Sequence, residues 1–407
     1  MDKTFLPLII GVDVGAYAIA KSFHQEYGVK SVLVGRKPLG YTKYSSIIEK
    51  IHFKKDIQDD RVFVDFLKEI YDKYESKYEN IVLIGSNDIY VSLIIKNKEE
   101  LEKNFSFNYI DEKLHKKLYS KKKFYELCEK RDVAIPQTTF LKAREGLEGA
   151  KGFAHYPAII KASNYNNFIK YSFPGQKKVY KINNEDDLDE VLRSIDASGF
   201  EGELILQEYI PGDDTYLRDI VCYINTKGEI ELLSFAQVLS QERTVSGVGN
   251  YTALITREVP EIARELANFL TDQGYTGFAN FDLKLDPRDQ TYKVFEVNTR
   301  LGRASTYIDM SHTSAAKMLV DDLLFNGLKS QNEKVYVGPD KLFSYIPMPL
   351  LKSILKNNHS ELMRKIENKK SKDNPLWYSG DWSIRRKILM TLVSLNYFKK
   401  YKENTSF

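Results

Sequence analysis

The segment from Gly277 to Arg303 constrains the chain more than any other. Gly277-Phe278-Ala279-Asn280-Phe281-Asp282-Leu283-Lys284-Leu285 and Thr291-Tyr292-Lys293-Val294-Phe295-Glu296-Val297-Asn298-Thr299-Arg300 flank the turn-forming run Asp286-Pro287-Arg288-Asp289-Gln290. Two β-rich runs around such a turn predict a hairpin. Pairing symmetric about Asp289 sets Asp282 opposite Glu296, and the two-residue strand period puts Asn298 on their face. Three oxygen ligands then converge. Carboxylates facing each other across a hairpin repel and call for a compensating cation. Hard oxygen ligands suit Mg²⁺, held by one or two carboxylates plus substrate phosphates. The competing reading is a solvated polar face with Phe281, Leu283, Phe295 and Val297 turned inward. Against it, the polar row continues through Asn298 and Arg300 into the loop Leu301-Gly302-Arg303.

Around this hairpin the 407 residues, 43% hydrophobic and 29% charged, are those of a globular chain long enough for two or three domains. Phe5–Ile10, Ser31–Val34 and Ile81–Gly85 read as strands alternating with helical segments at Ala16–Tyr27 and Val62–Tyr74, which predicts a parallel α/β domain over residues 1–110. Gly11 and Gly15 between the first strand and helix read either as an anion-binding turn or as a plain tight turn. From Asp111 to Arg131 one Lys-rich helix is expected, stopped at Ile135-Pro136. Strands at Ala158–Ala162 and Lys178–Ile182, a helix opened by Asn184, and strands at Leu204–Glu208, Tyr216–Ile224 and Ile230–Val238 give α+β texture with antiparallel sheets.

Glu296-Val297-Asn298-Thr299-Arg300 on a strand paired with one bearing Asp282 resembles the ATP-grasp superfamily of carboxylate–amine ligases. The resemblance spans roughly residues 5–330. It implies an N-terminal pre-ATP-grasp domain, then an ATP-grasp domain over 111–330, with a small lid subdomain in 111–205 and the metal and ligase core in 206–330; residues 331–407 form a basic extension outside it. It also implies that ATP and two Mg²⁺ ions, replaceable by Mn²⁺, serve as cofactors. Asp282 and Glu296 would bind one ion, Glu296 and Asn298 a second, and Arg300 would steady an acyl phosphate, since phosphoryl transfer is stabilised mainly by positioned cations. Lys161, ending Pro157-Ala158-Ile159-Ile160-Lys161, and Lys123, thirteen residues before Pro136, match the family's phosphate lysines. Lys123 also sits in the run Lys121–Lys123, which reads equally as a solvated helix face. Leu206–Asp214 matches the nucleotide hinge, with backbone groups of Glu208, Tyr209 and Ile210 reading adenine and Asp214 reading ribose. The family's Gly-rich phosphate loop is missing: Ser163–Phe168 stands in its place, with Lys177 and Lys178 as substitute contacts.

Gly247-Val248-Gly249-Asn250 and Gly302-Arg303-Ala304-Ser305 resemble the corresponding parts of peptidoglycan D-aspartate ligases, implying an amino-acid substrate and an amine-bearing acceptor. On that likeness Arg303 pairs with the substrate's second carboxylate and acts in catalysis, with Arg218 and Ser305 as further contacts; an Arg fork suits a carboxylate. Each reads equally as a structural partner. A ligase for another amino acid, a bicarbonate-activating enzyme related to biotin carboxylase, a kinase and a nucleotide-binding protein without turnover are the alternatives.

Cys128 and Cys222 build neither a disulfide framework nor a zinc site and fit a reducing cytoplasm. No apolar run reaches the roughly 20 residues that span a bilayer. From Leu351 to Phe407, 13 Lys or Arg stand against 5 Asp or Glu, so the chain's net +4 belongs to its tail. No nucleic-acid module accompanies this charge. Trp382–Val393 with Tyr397–Lys400 reads either as an amphipathic helix docked on the protein's own core or as a peripheral contact with an anionic membrane.

Overall fold

The computed structural model of the chain describes residues 5–244, 247, 249–325, 335–356, 359–367 and 372–403. Phe5–Ile10 (β1), Ser31–Gly35 (β2), Ile48–Phe53 (β3) and Asn80–Gly85 (β4) form a parallel sheet in the order β3-β2-β1-β4. β1 and β2 are buried throughout, as continuous apolar strands of a parallel sheet covered on both faces must be. The edge strand β3 escapes the sequence reading because its Ile-Glu-Lys-Ile-His-Phe pattern exposes charged positions. The first helix, Val14–Tyr27, opens where the Asp13 carboxylate accepts from the Ala16 amide at 2.9 Å and stops at Gly28, whose φ of 67° costs glycine little. At the preceding turn a Cβ on Gly11 would lie 1.8 Å from Ser86 Oγ. Ser86 Oγ and Asn87 Nδ2 both donate to Asp13 Oδ2 at 3.0 Å. The helix N-terminus thus faces a carboxylate of the protein itself, and the turn is structural.

A second sheet of Thr138–Lys142 (β5), Ala158–Ala162 (β6), Tyr180–Ile182 (β7) and Glu203–Glu208 (β8) is antiparallel in the order β5-β8-β6-β7. It has its own small core, including Leu141, Ile160, Leu192 and Leu204, and is covered by the helix Glu185–Ala197, which Asn184 caps as predicted.

The third and largest sheet contains Leu217–Ile224 (β9), Ile230–Gln241 (β10), Tyr251–Thr256 (β11), Gly277–Leu285 (β12), Tyr292–Asn298 (β13), Val335–Tyr336 (β14), Leu342–Ser344 (β15) and Lys372–Asp373 (β16). Its order is β13-β12-β9-β10-β11-β15-β16, with β14 beside β10. On β9, Val221 and Tyr223 enter one core while Ile220, Cys222 and Ile224 enter the other, so the period-2 alternation feeds two buried layers. β14, β15 and β16 come from beyond residue 330, so that segment is woven into the same sheet.

The tail docks on the first domain through Arg386, which is 2% exposed. Its guanidinium stacks over Tyr17 at 3.5 Å, donates to Leu376 O at 2.9 Å and lies 3.4 Å from the Asp381 carboxylate. Asp381 in turn accepts from Tyr17, Ser45 and Ser46. Its charge and ring face are matched and two of its nitrogens are bonded, while Nη2 is buried without a hydrogen-bond partner among the described residues.

Residues 111–131 depart from the single expected helix. Two helices, Glu112–Tyr119 and Lys121–Glu129, meet at Ser120, whose extended ψ of 111° breaks the first helix while its hydroxyl faces the second at its start. A serine offers the backbone this alternative to continuing a helix. The break turns the lysine run to a new direction.

Candidate active site

The hairpin pairs as predicted at its centre, with Asp282 opposite Glu296 and Asn280 opposite Asn298. The symmetric reading fails nearer the turn, where a bulge leaves Phe295 unpaired and sets Leu283 opposite Val294. β12 also pairs with β9 so that Asp282 faces Asp219. Three carboxylates, Asp219, Asp282 and Glu296, therefore stand abreast on three adjacent strands. Asp219 is absent from the sequence reading because the pairing of β9 with β12 joins segments more than fifty residues apart and leaves no local signal.

Electrostatics separates the three. Burial, then the charges of Glu296 and Asp219, pushes the Asp282 carboxyl well above the usual carboxylate range. Burial lifts Asp219 to about 6. Lys121 holds Glu296 down at about 2 through a direct ion pair. Asn298 Nδ2 donates to Asp282 Oδ2 at 3.0 Å, and Asn280 Nδ2 donates to Asp219 Oδ1 at 2.5 Å. Asp219 Oδ2 is buried without a hydrogen-bond partner among the described residues. Among those residues no group of three or more acidic, cysteine or histidine side chains qualifies as a metal cage. The set fits instead an ion held by one or two carboxylates that completes its shell with phosphate oxygens and water, the habit of Mg²⁺.

Arg300 is fixed from the other domain. Its Nε and Nη2 bond the two oxygens of Asp88 at 2.6 and 2.9 Å, and Nη2 lies 3.4 Å from Asn298 Oδ1. This fork orients the guanidinium beside the carboxylate row. Asp88 opens the helix Asp88–Lys96; it too was invisible in the sequence, because its partner lies 212 residues away.

Lys121, which pairs directly with Glu296, lines a cavity of about 710 Å³ together with Asp282, Glu296, Lys161 of β6 and Lys178 just before β7. Burial, reinforced by Lys121, depresses Lys161 to about 7. Burial also depresses Lys178. The expected Lys123 lies elsewhere: it is exposed, and the break at Ser120 brings Lys121 into the cleft in its place. Ser163–Phe168 forms a helical turn, Tyr165–Phe168, capped by Asn164, where the family has its glycine loop. Lys178 joins the cleft while Lys177 is exposed.

Gln207, Glu208, Tyr209, Ile210 and Asp214 line the cavity's other end. Lys284 Nζ donates to the carbonyls of Ile210 and Gly212 at 2.9 and 2.6 Å, and its ammonium lies 5.3 Å from the Tyr209 ring. Glu208 is held by the Gln137 amide at 3.0 Å and by Arg288 at 2.9 Å. Asp214 accepts from Gln241 and lies 3.5 Å from Arg243.

Arg218 stands apart. It shares a strand face with Ile220 and Cys222, opposite to Asp219, and bonds the carbonyls of Thr215 and Leu217, so it does not reach the cleft. Arg303 is packed over Tyr345 at 5.2 Å, with Glu242, Tyr41 and Tyr397 acting on it, and its Nε is buried without a partner among the described residues. Ser305 is buried against Gly302, where a Cβ would lie 2.4 Å from the serine Oγ and 3.0 Å from Asn280 Oδ1. Val248 lies outside the described residues.

No protein-family model matches the chain. Its structure is similar to the biotin carboxylase domain of 2-oxoglutarate carboxylase from Hydrogenobacter thermophilus, solved with MgADP, ADP and bicarbonate (TM-score 0.60, 14% identity, 83% of this chain and 73% of that one). N5-carboxyaminoimidazole synthetase from Staphylococcus aureus gives a TM-score of 0.58 at 15% identity, covering 89% of this chain and 88% of that one. L-amino acid ligase from Bacillus licheniformis gives 0.56 at 15%, covering 84% and 79%. The fold is the ATP-grasp fold, and with this site it defines the class: an ATP-dependent ligase that joins a carboxylate to an amine. In sequence the chain is 29% identical over 417 residues to D-aspartate ligase of Enterococcus faecium (strain Aus0004), across 99% of this chain and 97% of that protein.

Proposed function

We propose that the chain uses ATP to activate the β-carboxylate of D-aspartate as an acyl phosphate and joins it to a lysine side-chain amine of a peptidoglycan precursor, releasing ADP and phosphate. The observation that carries this is one cavity lined by paired carboxylates and three half-buried lysines, in a chain similar over nearly its whole length to D-aspartate ligase.

In this reading Lys161 and Lys121 take the nucleotide's phosphates, with Lys178 beside them. Backbone groups of Glu208, Tyr209 and Ile210 bind adenine, and Asp214 accepts from the ribose. Asp282 and Glu296 hold one Mg²⁺ and Glu296 and Asn298 a second; Mn²⁺ can replace either. When bound, the ions neutralise charge on the phosphoryl group as it moves. A substrate carboxylate oxygen attacks the γ-phosphorus and ADP leaves; the amine then attacks the acyl carbon, phosphate leaves and the amine gives up a proton. Arg300, held by Asp88, steadies the acyl phosphate. The unpaired Arg303 Nε beside Glu242 suits an amino acid's second carboxylate next to its ammonium, with Ser305 behind it. Two buried, unpaired cysteines accord with the cytoplasm as the compartment.

Phosphate release from MgATP, measured with a panel of D- and L-amino acids with and without a stem peptide bearing a free lysine amine, tests the assignment. Release requiring both D-aspartate and the peptide supports it. Release driven by bicarbonate alone refutes it in favour of carboxyphosphate chemistry.

A further inference from the structure

The C-terminal helix Ile384–Glu403 presents two opposed faces. Arg386, Met390 and Tyr397 are buried against the protein. On the other side Ile384 is 73% exposed and Ile388, Leu392 and Leu395 are 57–59% exposed, with Trp382 at 73% just before the helix. At about 100° per residue the four aliphatic side chains fall within one arc of roughly 80°, centred opposite the docked face. A helix that has met its core through one face has no folding reason to carry a second apolar stripe. Scattered exposed leucines need no explanation, but a contiguous row does.

Charge indicates what covers the stripe. Arg385 and Lys387 flank it, Lys399 and Lys402 continue its arc toward the C-terminal end, and all four are exposed, while Glu403, the helix's sole acidic residue, lies 3.8 Å from Lys399. The basic and aromatic character continues onto the first domain, where Tyr44 is exposed between Lys43, 4.8 Å from its ring, and Arg385, 5.9 Å from it. No helix among the described residues is long and apolar enough to cross a membrane. Apolar side chains in the acyl boundary with cations among the headgroups are the arrangement of a helix lying in the plane of an anionic bilayer.

We propose that the Ile384–Glu403 helix docks the enzyme on anionic membrane surfaces through Trp382, Ile384, Ile388, Leu392 and Leu395. The docked helix also packs behind the cleft, against β10 and β11. Tyr401 OH bonds Ser240 and Thr252 at 2.9 and 2.8 Å, Lys400 Nζ lies 3.2 Å from Glu242, and Tyr397 acts on Arg303. Docking therefore holds the amino-acid end of the cleft at a fixed distance from the lipid surface.

The test is co-sedimentation of the full chain with phosphatidylcholine vesicles with and without phosphatidylglycerol, alongside amino-acid-dependent phosphate release in solution. The wild type is expected to pellet with the anionic vesicles. Binding should fall at least about tenfold on neutral vesicles, and likewise near 1 M salt, where the Debye length shrinks to about 3 Å. An Ile388→Glu/Leu392→Glu double variant, whose changes lie on exposed positions away from the cleft, should stay in the supernatant and release phosphate at the wild-type rate. Wild type remaining in solution with anionic vesicles, or a variant that pellets equally, overturns the proposal. So does a wild-type dimer in sedimentation velocity that the double variant converts to monomer, which assigns the stripe to a second copy of the chain. Because phosphate release is read without lipid, a failure of the ligase assignment is seen separately.

Discussion

Asp219 carries the electrostatic cost of the site in measurable form. Its folded-state carboxyl titrates at about 6, against an ordinary 3.8. The sign follows from proton binding. Between these values the folded protein holds the proton that the unfolded chain releases, so this group's contribution to stability falls as pH rises from about 4 and is fully lost above about 6. With about 1.36 kcal/mol per pKa unit, the cost reaches about 1.6 kcal/mol at pH 5 and about 3 kcal/mol at pH 8. Asp219→Asn removes the charge while its amide oxygen still accepts from Asn280. The amide nitrogen takes the place of Oδ2 near the Tyr307 hydroxyl, at a cost of about 1–3 kcal/mol that does not change with pH. Urea unfolding of both proteins at pH 5 and pH 8 cancels that term, and the variant's stability relative to wild type should improve by about 1.4 kcal/mol at the higher pH. A difference independent of pH, within about 0.5 kcal/mol, would refute the claim that Asp219 is held charged against its burial at neutral pH. Because cations relieve the same repulsion, saturating MgADP should stabilise the wild type more than the variant.

Glu296→Ala and Asp282→Asn should each abolish MgATP turnover with far-UV circular dichroism unchanged, and Mg²⁺-dependent activity at the normal level in either would sink the metal assignment. Lys121→Met should lower kcat/KM for ATP by about a hundredfold, as expected for one lost charge-assisted phosphate contact of roughly 3 kcal/mol, whereas Lys123→Met should change it less than about twofold. Lys161 is protonated below about 7, so apparent ATP affinity should weaken by about tenfold from pH 6 to pH 8, and Lys121→Met, which removes a neighbouring positive charge, should move that inflection upward; calorimetric titration reads both. Arg303→Ala should raise KM for the amino acid by more than about tenfold while leaving the ATP KM in place, and Arg218→Ala should alter unfolding midpoints but not KM, so an Arg218 variant defective only in amino-acid KM would return that residue to the site.

What the sequence makes legible follows the range of the interactions. Asp282, Glu296 and Asn298 share a hairpin, and their pairing survives a misjudged turn because the bulge at Phe295 restores the register beyond it. Lys161 ends an apolar strand whose alternation fixes its side. Asp219 and Asp88 complete the same site from β9 and from the first domain, and only tertiary pairing brings them there. Lys123 matches the family's phosphate lysine by its spacing before Pro136, and spacing alone does not show which lysine of the run turns inward. One serine cap interrupts the expected helix and changes which lysine faces inward. Arg218 differs from Asp219 by one residue, and in a strand one residue is the opposite face.

These long-range partners bear on whether the cleft is built for turnover. Drawing one buried and two half-buried carboxylates together beside three half-buried lysines costs desolvation on both sides, and a pair-by-pair balance would leave each group near its ordinary titration range. The observed pattern is uneven: Asp219 and Asp282 are raised, Glu296 is lowered, and Lys161 is brought near neutrality. Lys121 pairs with Glu296 and leaves Asp282 in need of a cation, while Arg300, beside the row, is paired with Asp88. A nucleotide-binding protein without turnover would need the lysines but not the acids; replacing Asp219 and Asp282 with neutral residues would relieve it of their repulsion. The retained imbalance is what a site requires when divalent ions and a polyphosphate arrive together and supply the missing charges, positive to the acids and negative to the lysines.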